Sequence, residues 1–253
     1  MRKIEAKART EILEEFPALA SKLKSWQEVA YDPSEHFFDA GEEVWLEDDD
    51  EEPTLLTEEM AASINEETRV NVLSARDSFP EDRLLPVYSD GFFAHLECRT
   101  KEEFGQRIQE TFLKFSEETG EDRFAVLSEA KIPILCQKNE YAEAAESFLE
   151  INGLARDSDS GFVCNASGIS SLLPHLFTIA KCNASAPAVY ISSATNEFVA
   201  FLCKDLNFHV SLYEPGVTAD VQDALQTAGF IVHTGQRFIS SIQDEEPFLG
   251  AIL

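Results

Sequence analysis

The residues best suited to ligand chemistry are small polar or charged side chains that fall where predicted strands give way to predicted helices. They are Asn165, Ser167, Ser192, Ser193, Glu214 and Arg237. The first turn of a helix offers free backbone N–H groups and the positive end of the helix dipole, which attract anions. Arg237 would add a charge partner for the same anion. The pattern indicates a site for a small anionic ligand, although Ser, Thr and Asn also cap helices that bind nothing.

Cys164 is the candidate nucleophile of this group because it ends the predicted strand "GFVC" just ahead of a helix. A helix N-terminus favours the reactive thiolate. The alternative is a small buried hydrophobe, the commoner role of a free cysteine. The sequence VCNAS at 163–167 resembles the Cys-Asn-Thr-Ala turn of aspartate and glutamate racemases over these five residues. Those enzymes pair it with a second cysteine in a Cys-Thr-His context, which this sequence lacks, so racemisation is not expected.

Motifs for cofactors and metals are absent from the sequence. It contains no G-x-G-x-x-G, Walker A, H-E-x-x-H or G-x-S-x-G pattern. The five cysteines are widely spaced and the five histidines do not converge, so no zinc-type cluster is indicated. We therefore expect neither a cofactor nor a bound metal.

The elements that would position the candidate residues alternate between strands and helices over residues 88–253. Nearly continuous apolar strands, among them 131–136 and 187–193, are separated by amphipathic stretches, among them 195–206. Such strands indicate burial on both faces, which is typical of parallel sheets. The sequence therefore predicts an α/β fold with a mainly parallel, doubly wound Rossmann-like sheet. The carboxyl edge of that sheet would gather the candidate residues.

Residues 1–87 predict a helical N-terminal region that carries an acidic linker. Apolar residues at three- and four-residue steps between positions 12 and 26 indicate an amphipathic helix, with a break near Pro17. A linker at about 39–53 is expected because eight acidic residues crowd positions 42–52. Within this linker, Trp45 and Leu46 are either a docking motif for a basic groove or the anchor of the linker itself.

The charge of the chain restricts its partners. It carries 47 acidic and 20 basic residues, a formal net charge of −27. A field of this sign repels phosphate backbones and attracts basic proteins, so we expect a basic protein partner and no nucleic acid. No apolar run reaches 18 residues, and the N-terminus lacks the apolar core of a signal peptide. We therefore expect a cytoplasmic protein with no membrane partner.

Two functions from different classes agree with these observations. The first is a non-catalytic protein-binding or regulatory factor, suggested by the charge, by Trp45 and Leu46, and by the absence of a catalytic motif. The alternative is an enzyme or sensor that binds a small anionic ligand at the carboxyl edge of the parallel sheet, with Cys164 as its reactive group.

Overall fold

The structure of the chain is a computed structural model that describes residues 3–45, 53–86, 91–136, 142–155, 158–182, 188–195, 198–214 and 216–233. Within these ranges the strands are β1 Ile4–Lys7, β2 Glu43–Val44, β3 Thr54–Leu55, β4 Phe92–His95, β5 Phe124–Ser128, β6 Gly161–Cys164, β7 Val189–Ser193, β8 Phe198–Leu202, β9 Phe208–Leu212 and β10 Ile231–His233. The helices are α1 Arg9–Glu15, α2 Pro17–Ala30, α3 Glu58–Ser74, α4 Lys101–Thr119, α5 Glu143–Ile151, α6 Ala166–Cys182 and α7 Thr218–Ala228, with a 3-10 turn at Pro33–His36.

Eight of the described strands form one sheet, in the order β1-β6-β5-β7-β8-β9-β4-β10, while β2 and β3 form a separate hairpin. Every neighbouring pair of strands in the large sheet is antiparallel. The chain is therefore an α/β protein with an antiparallel sheet. The prediction of a mainly parallel, Rossmann-like sheet is wrong.

The segment 195–206 accounts for much of this difference. The sequence pattern predicts a helix there, but strand β8 occupies Phe198–Leu202 and links β7 to β9 as a meander. Phe198 and Ala200 enter one core and Val199 enters the other, as alternation along a strand requires. A helix would have made a parallel β-α-β unit, whereas a strand makes two antiparallel pairs. The predicted strand at 131–136 is also absent, since these residues form no helix or strand.

Helices cover both faces of the sheet, which explains why its strands resemble parallel ones in sequence. The larger core joins one face to α4, α5, α6 and α7, with Phe104, Phe112 and Leu173 among its buried residues. The smaller core joins the other face to α1 and the first half of α2, with Ile12 and Leu19 fully buried. Burial on both faces makes a strand uniformly apolar whatever its direction.

Two compact units make up the chain. The first, here called the sheet unit, consists of Met1–Leu23 and Ser78–Leu253. The second, here called the acidic unit, is Lys24–Asp77 and contains the β2–β3 hairpin, the 3-10 turn and α3. The sequence-based division into 1–87 and 88–253 stays a prediction.

Candidate functional site

The predicted ligand residues of the sheet unit lie at one end of the sheet, although the sheet is antiparallel. Strands β6, β7 and β9 run in the same direction because a strand of opposite direction separates each neighbouring pair of them. Cys164 ends β6, Ser193 ends β7 and Glu214 follows β9. Two strand spacings separate each neighbouring pair of these residues, a distance of about 10 Å. Arg237 lies outside the described residues.

Cys164 is buried in the larger core and has none of the features of a nucleophile. Its side chain is 0% exposed. It lies on the same face of the sheet as Phe124, its cross-strand partner on β5. Burial raises the pKa of the Cys164 thiol to about 12. The thiol is therefore protonated at neutral pH, and this environment is that of a structural cysteine.

Groups of the protein itself occupy the N-terminus of α6. The side-chain amide oxygen of Asn165 accepts from the N–H of Gly168 at 2.9 Å, and the carboxylate of Asp122 accepts from the N–H of Ala166, also at 2.9 Å. The carbonyl of Lys3 accepts from the N–H of Asn165 at 3.1 Å. The N–H groups of Ala166 and Gly168 in the first turn of α6 are thus already engaged. Ligand binding by Asn165 and Ser167 stays a prediction.

Ser192 and Ser193 are fully buried and precede a strand-to-strand turn. Ser192 donates to the carbonyl oxygens of Ser193, at 3.3 Å, and Phe198, at 3.4 Å. The hydroxyl of Thr195 bonds that of Ser193 at 3.3 Å. Successive residues of a strand point to opposite faces, so these two hydroxyls do not converge on one ligand. Glu214, by contrast, is exposed.

A buried carboxylate ties the same end of the sheet together. Glu121 is buried, and its two oxygens accept from the backbone N–H groups of Arg123 and Thr195, each at 3.0 Å. This pair of bonds fastens the entry to β5 to the turn that follows β7. Buried acidic groups need such partners. These two hydrogen bonds give Glu121 a structural role that requires no ligand.

A second polar cluster lies between α2 and the sheet. The ammonium group of Lys22 donates to the hydroxyl of Ser211 at 3.1 Å, and the hydroxyl of Tyr190 bonds the carboxyl group of Glu129. Burial raises the pKa of Glu129 and of Tyr190, and burial lowers the pKa of Lys22. Perturbed acids and bases of this kind occur in active sites and in structural ion pairs. Because Lys22 joins a helix to a strand, the cluster anchors α2 on the sheet.

A groove of about 290 Å³ lies on the helical layer. It lies between the start of α4 and the middle of α6, with Gly105, Pro174 and His175 among its lining residues. Burial lowers the pKa of His175, whose ring stacks on Phe148 with centroids 4.2 Å apart. None of the predicted ligand residues that the structure describes lines this groove.

The acidic unit presents apolar side chains on its β2–β3 hairpin. Glu43 pairs with Leu55 and Val44 with Thr54, and the N–H of Gly41 donates to the carbonyl of Leu56 at 2.8 Å. Cross-strand partners share a face of a hairpin, so Glu43 and Leu55 lie on the same face, and Trp45 directly follows β2. Trp45 is 69% exposed and Leu55 is 61% exposed. The hairpin thus offers a large aromatic and an aliphatic side chain together to the solvent.

Other apolar side chains of the acidic unit are exposed as well. Seven of the ten exposed large hydrophobic residues within the described ranges belong to this unit: Val29, Phe37, Phe38, Trp45, Leu55, Val70 and Leu73. The side-chain amide of Asn65 accepts a hydrogen bond from the N–H of Phe38 at 2.8 Å and donates one to the carbonyl of Phe38 at 2.9 Å. The unit comprises 54 of the 253 residues. Apolar exposure is therefore concentrated in it, and such concentrations mark interaction surfaces.

The acidic unit also holds much of the net charge. Lys24–Asp77 contains 17 acidic and 3 basic residues, so it carries −14 of the total −27.

No protein-family model, curated protein or solved structure matches the chain. The functional argument therefore depends on its own geometry. Within the described residues no helix is long and apolar enough to cross a membrane, and no group of three metal-ligating side chains occurs.

Leu46, the second predicted docking residue, lies outside the described residues. Leu55 is a residue that the sequence-based prediction missed. A signal for it exists, because the apolar pair Leu55-Leu56 follows the acidic run that Trp45-Leu46 interrupts. Two apolar pairs on either side of a polar turn are typical of a hairpin.

Proposed function

We propose that the protein is a non-catalytic binding factor whose acidic unit recognises a basic polypeptide. The observation that carries this proposal is the exposure of Trp45 and Leu55 at the β2–β3 hairpin, within a unit of net charge −14. Tryptophan is among the residues that contribute most to binding at protein interfaces. An exposed apolar pair inside a charged rim has the composition of such an interface.

The two features contribute differently to binding. Covering a large exposed side chain such as Trp45 contributes about 2 kcal/mol. The surrounding carboxylates raise the association rate with a basic partner and reject acidic ones. The first effect supplies affinity and the second supplies selectivity. A basic segment that also carries apolar side chains satisfies both.

The charge also decides between possible occupants of this surface. A second copy of the chain would bring another unit of net charge −14 against the first, and nucleic acid would bring phosphates. Both are repelled. A basic protein is the occupant whose charge complements this surface.

The state of the predicted chemical groups supports a non-catalytic role. The Cys164 thiol is buried and protonated, and protein groups cap the N-terminus of α6. The alternative function, an enzyme or sensor for a small anionic ligand, stays a prediction that involves Arg237 and Glu214.

Tryptophan fluorescence tests the proposal directly, since the chain has two tryptophans. In a full-length Trp26→Phe variant, Trp45 is the remaining reporter. The probes are synthetic peptides of about 15 residues that combine Lys or Arg with Leu or Phe. One matched set has Glu in place of the basic residues, and another has Ser in place of the apolar ones. We expect a saturable blue shift with the first set, weakened about tenfold or more between about 50 and about 500 mM salt.

Variants then assign the binding to the hairpin. In calorimetric titrations, Trp45→Ala and Leu55→Ala are each expected to weaken binding of the basic apolar peptides about tenfold, which corresponds to about 1.4 kcal/mol. Ile151→Ala is the matched control, because Ile151 is 85% exposed but belongs to the sheet unit. If Trp45→Ala binds as tightly as Ile151→Ala, or if the acidic peptides bind as well as the basic ones, the proposal is wrong.

A further inference from the structure

Rings from five neighbouring strands form a row on the sheet face that α1 and α2 cover in part. In register order they are Tyr190, Phe201, His209, Phe93 and His233. The ring centroids of Phe201 and His209 are 4.4 Å apart and stacked, and those of Phe93 and His209 are 4.5 Å apart and edge-on. The row ends at β10, which is the last strand of the described sheet.

A second histidine closes the row at this edge. His95 of β4 stacks on His233 of β10, with ring centroids 4.9 Å apart and an interplanar angle of 21°. His95 is 3% exposed. The Nε2 atoms of both rings are buried and lack a hydrogen-bond partner among the described residues. A proton added to the Nε2 of His95 would therefore place a charge where no acceptor among the described residues receives it.

The charged groups near His95 act on its pKa in opposite directions. Glu97, two residues further along the chain, acts to raise the pKa of His95. A hydrogen bond to the backbone of Ile231 acts in the same direction. Burial and then His233 act more strongly, and the pKa of His95 is lowered. Helix α7 contacts β10 from the opposite face, where Val232 joins the larger core, so Asp220 and Asp223 lie beyond the sheet.

The neighbouring histidine of the row behaves in the same way. The pKa of His209 is lowered by burial and by Lys22, against the effect of Asp205. Cationic imidazoles are therefore disfavoured along this part of the face. Neutral imidazoles, by contrast, stack with the aromatic rings at no electrostatic cost.

We propose that the stacked pair His95 and His233 is a pH-sensitive latch, which holds strand β10 on the sheet at neutral pH and releases it below about pH 6. β10 is suited to release because it has three residues and pairs on one side with β4. Protonation of the His95 ring would place a charge in a buried site, and separation of the strands removes that burial.

The direction of the pH effect follows from proton linkage. His95 binds its proton more weakly in the folded chain than in the unfolded chain. As pH falls through about 6.5, the unfolded or locally opened state takes up more protons than the closed state. The closed state is therefore fully favoured above that pH and loses stability below it.

Hydrogen exchange of the full-length chain tests the latch. Protection factors, corrected for the intrinsic exchange rate, are compared at about pH 7.5 and about pH 5.5. We expect the amides of residues 231–233 to lose protection about tenfold or more, while those of β5 change less than about twofold. His95→Phe keeps a ring in the stack but cannot be protonated, and it should reduce the loss to less than about threefold.

The control is His175→Phe, which removes a histidine that stacks on Phe148 outside the row and should leave the loss unchanged. Side-chain NMR of the wild-type chain adds a readout that does not depend on the folding of a variant. The His95 imidazole should titrate below about 6.5, with the same midpoint as the loss of β10 protection. An unchanged loss in His95→Phe, no loss in the wild-type chain, or unlinked midpoints would each overturn the latch.

Discussion

Replacement of Lys22 by methionine is a demanding test of the polar cluster beneath α2. Methionine keeps the unbranched apolar stem of lysine but removes the ammonium group, which donates to Ser211 at 3.1 Å and faces the Glu129 carboxylate. Exposed ion pairs contribute up to about 1 kcal/mol, and breaking a fully buried pair costs about 3 to 5 kcal/mol. Glu129 is 8% exposed and Lys22 is partly buried. An intermediate cost of about 2 kcal/mol at about pH 8 follows.

The pH dependence of this cost distinguishes the ion pair from simple packing. Burial raises the pKa of Glu129, while Lys22 acts to lower it. The folded chain therefore keeps the Glu129 proton to a higher pH than the unfolded chain, so stability falls as pH rises through that range. Without the positive charge of Lys22, the pKa of Glu129 in the folded chain is higher, so stability falls over a range that extends to higher pH. The destabilisation by Lys22→Met should then be about 2 kcal/mol at about pH 8 and about 1 kcal/mol at about pH 5.

Urea unfolding followed by circular dichroism at the two pH values measures this difference. Lys24→Met is the matched control, since Lys24 lies on the same helix and pairs with Glu28 at 3.6 Å on the surface. Its cost should stay below about 0.5 kcal/mol at both pH values. A cost of Lys22→Met that is equal at both pH values, or no larger than that of Lys24→Met, would refute an ion-pair role for the cluster.

Two further predictions concern the junction of β6 and α6. A Cβ atom on Gly168 would lie 1.9 Å from the carbonyl oxygen of Lys3, so Gly168→Ala should destabilise the chain by about 3 kcal/mol in urea unfolding. In the control variant Gly105→Ala, the added Cβ would lie 3.8 Å from the Cβ of Pro174, so stability should change by less than about 1 kcal/mol. Equal destabilisation by the two substitutions would contradict the close contact of Gly168 with Lys3. In mass-spectrometric mapping of thiol labelling at about pH 8, exposed Cys136 should react while Cys164 stays unmodified, and comparable rates would show that Cys164 is accessible.

Local features of the fold could be predicted from the sequence where neighbouring residues determine them. At the start of α4 the residues Thr100 and Glu103 form a capping box: the Thr100 hydroxyl accepts from the N–H of Glu103 at 3.2 Å and the Glu103 carboxylate accepts from the N–H of Arg99 at 2.8 Å. α7 ends at Gly229, whose φ of +112° favours glycine. These contacts span four residues or fewer, so the linear sequence contains them.

Strand direction could not be predicted in this way because it depends on contacts between distant segments. The apolar runs correctly indicated that both faces of the sheet are covered, but helices can cover an antiparallel sheet as fully as a parallel one. The predicted helix at 195–206 made the strands before and after it parallel in the prediction. Whether Phe198–Leu202 forms a helix or a strand depends on its packing against β7 and β9. Short apolar segments are ambiguous between these two states.

The candidate site shows the same limit. Trp45 stood out because an aromatic residue amid carboxylates is visible in the sequence. Its neighbour Leu55 depends on the register of a hairpin with two-residue strands, which no periodicity reveals. The burial of Cys164 depends on the packing of α4 and α6 across the sheet, so the sequence left its two roles open.

One physical rule links the two units to their proposed roles. A buried polar group needs a partner, and a cluster of exposed apolar groups gains free energy when it is covered. At the predicted ligand edge of the sheet unit, Asp122, Asn165 and Glu121 bind backbone groups of the same chain. In the acidic unit, Trp45 and Leu55 are largely exposed. Covering these two side chains would release free energy, and this is the reason for proposing the surface of the acidic unit as the binding surface.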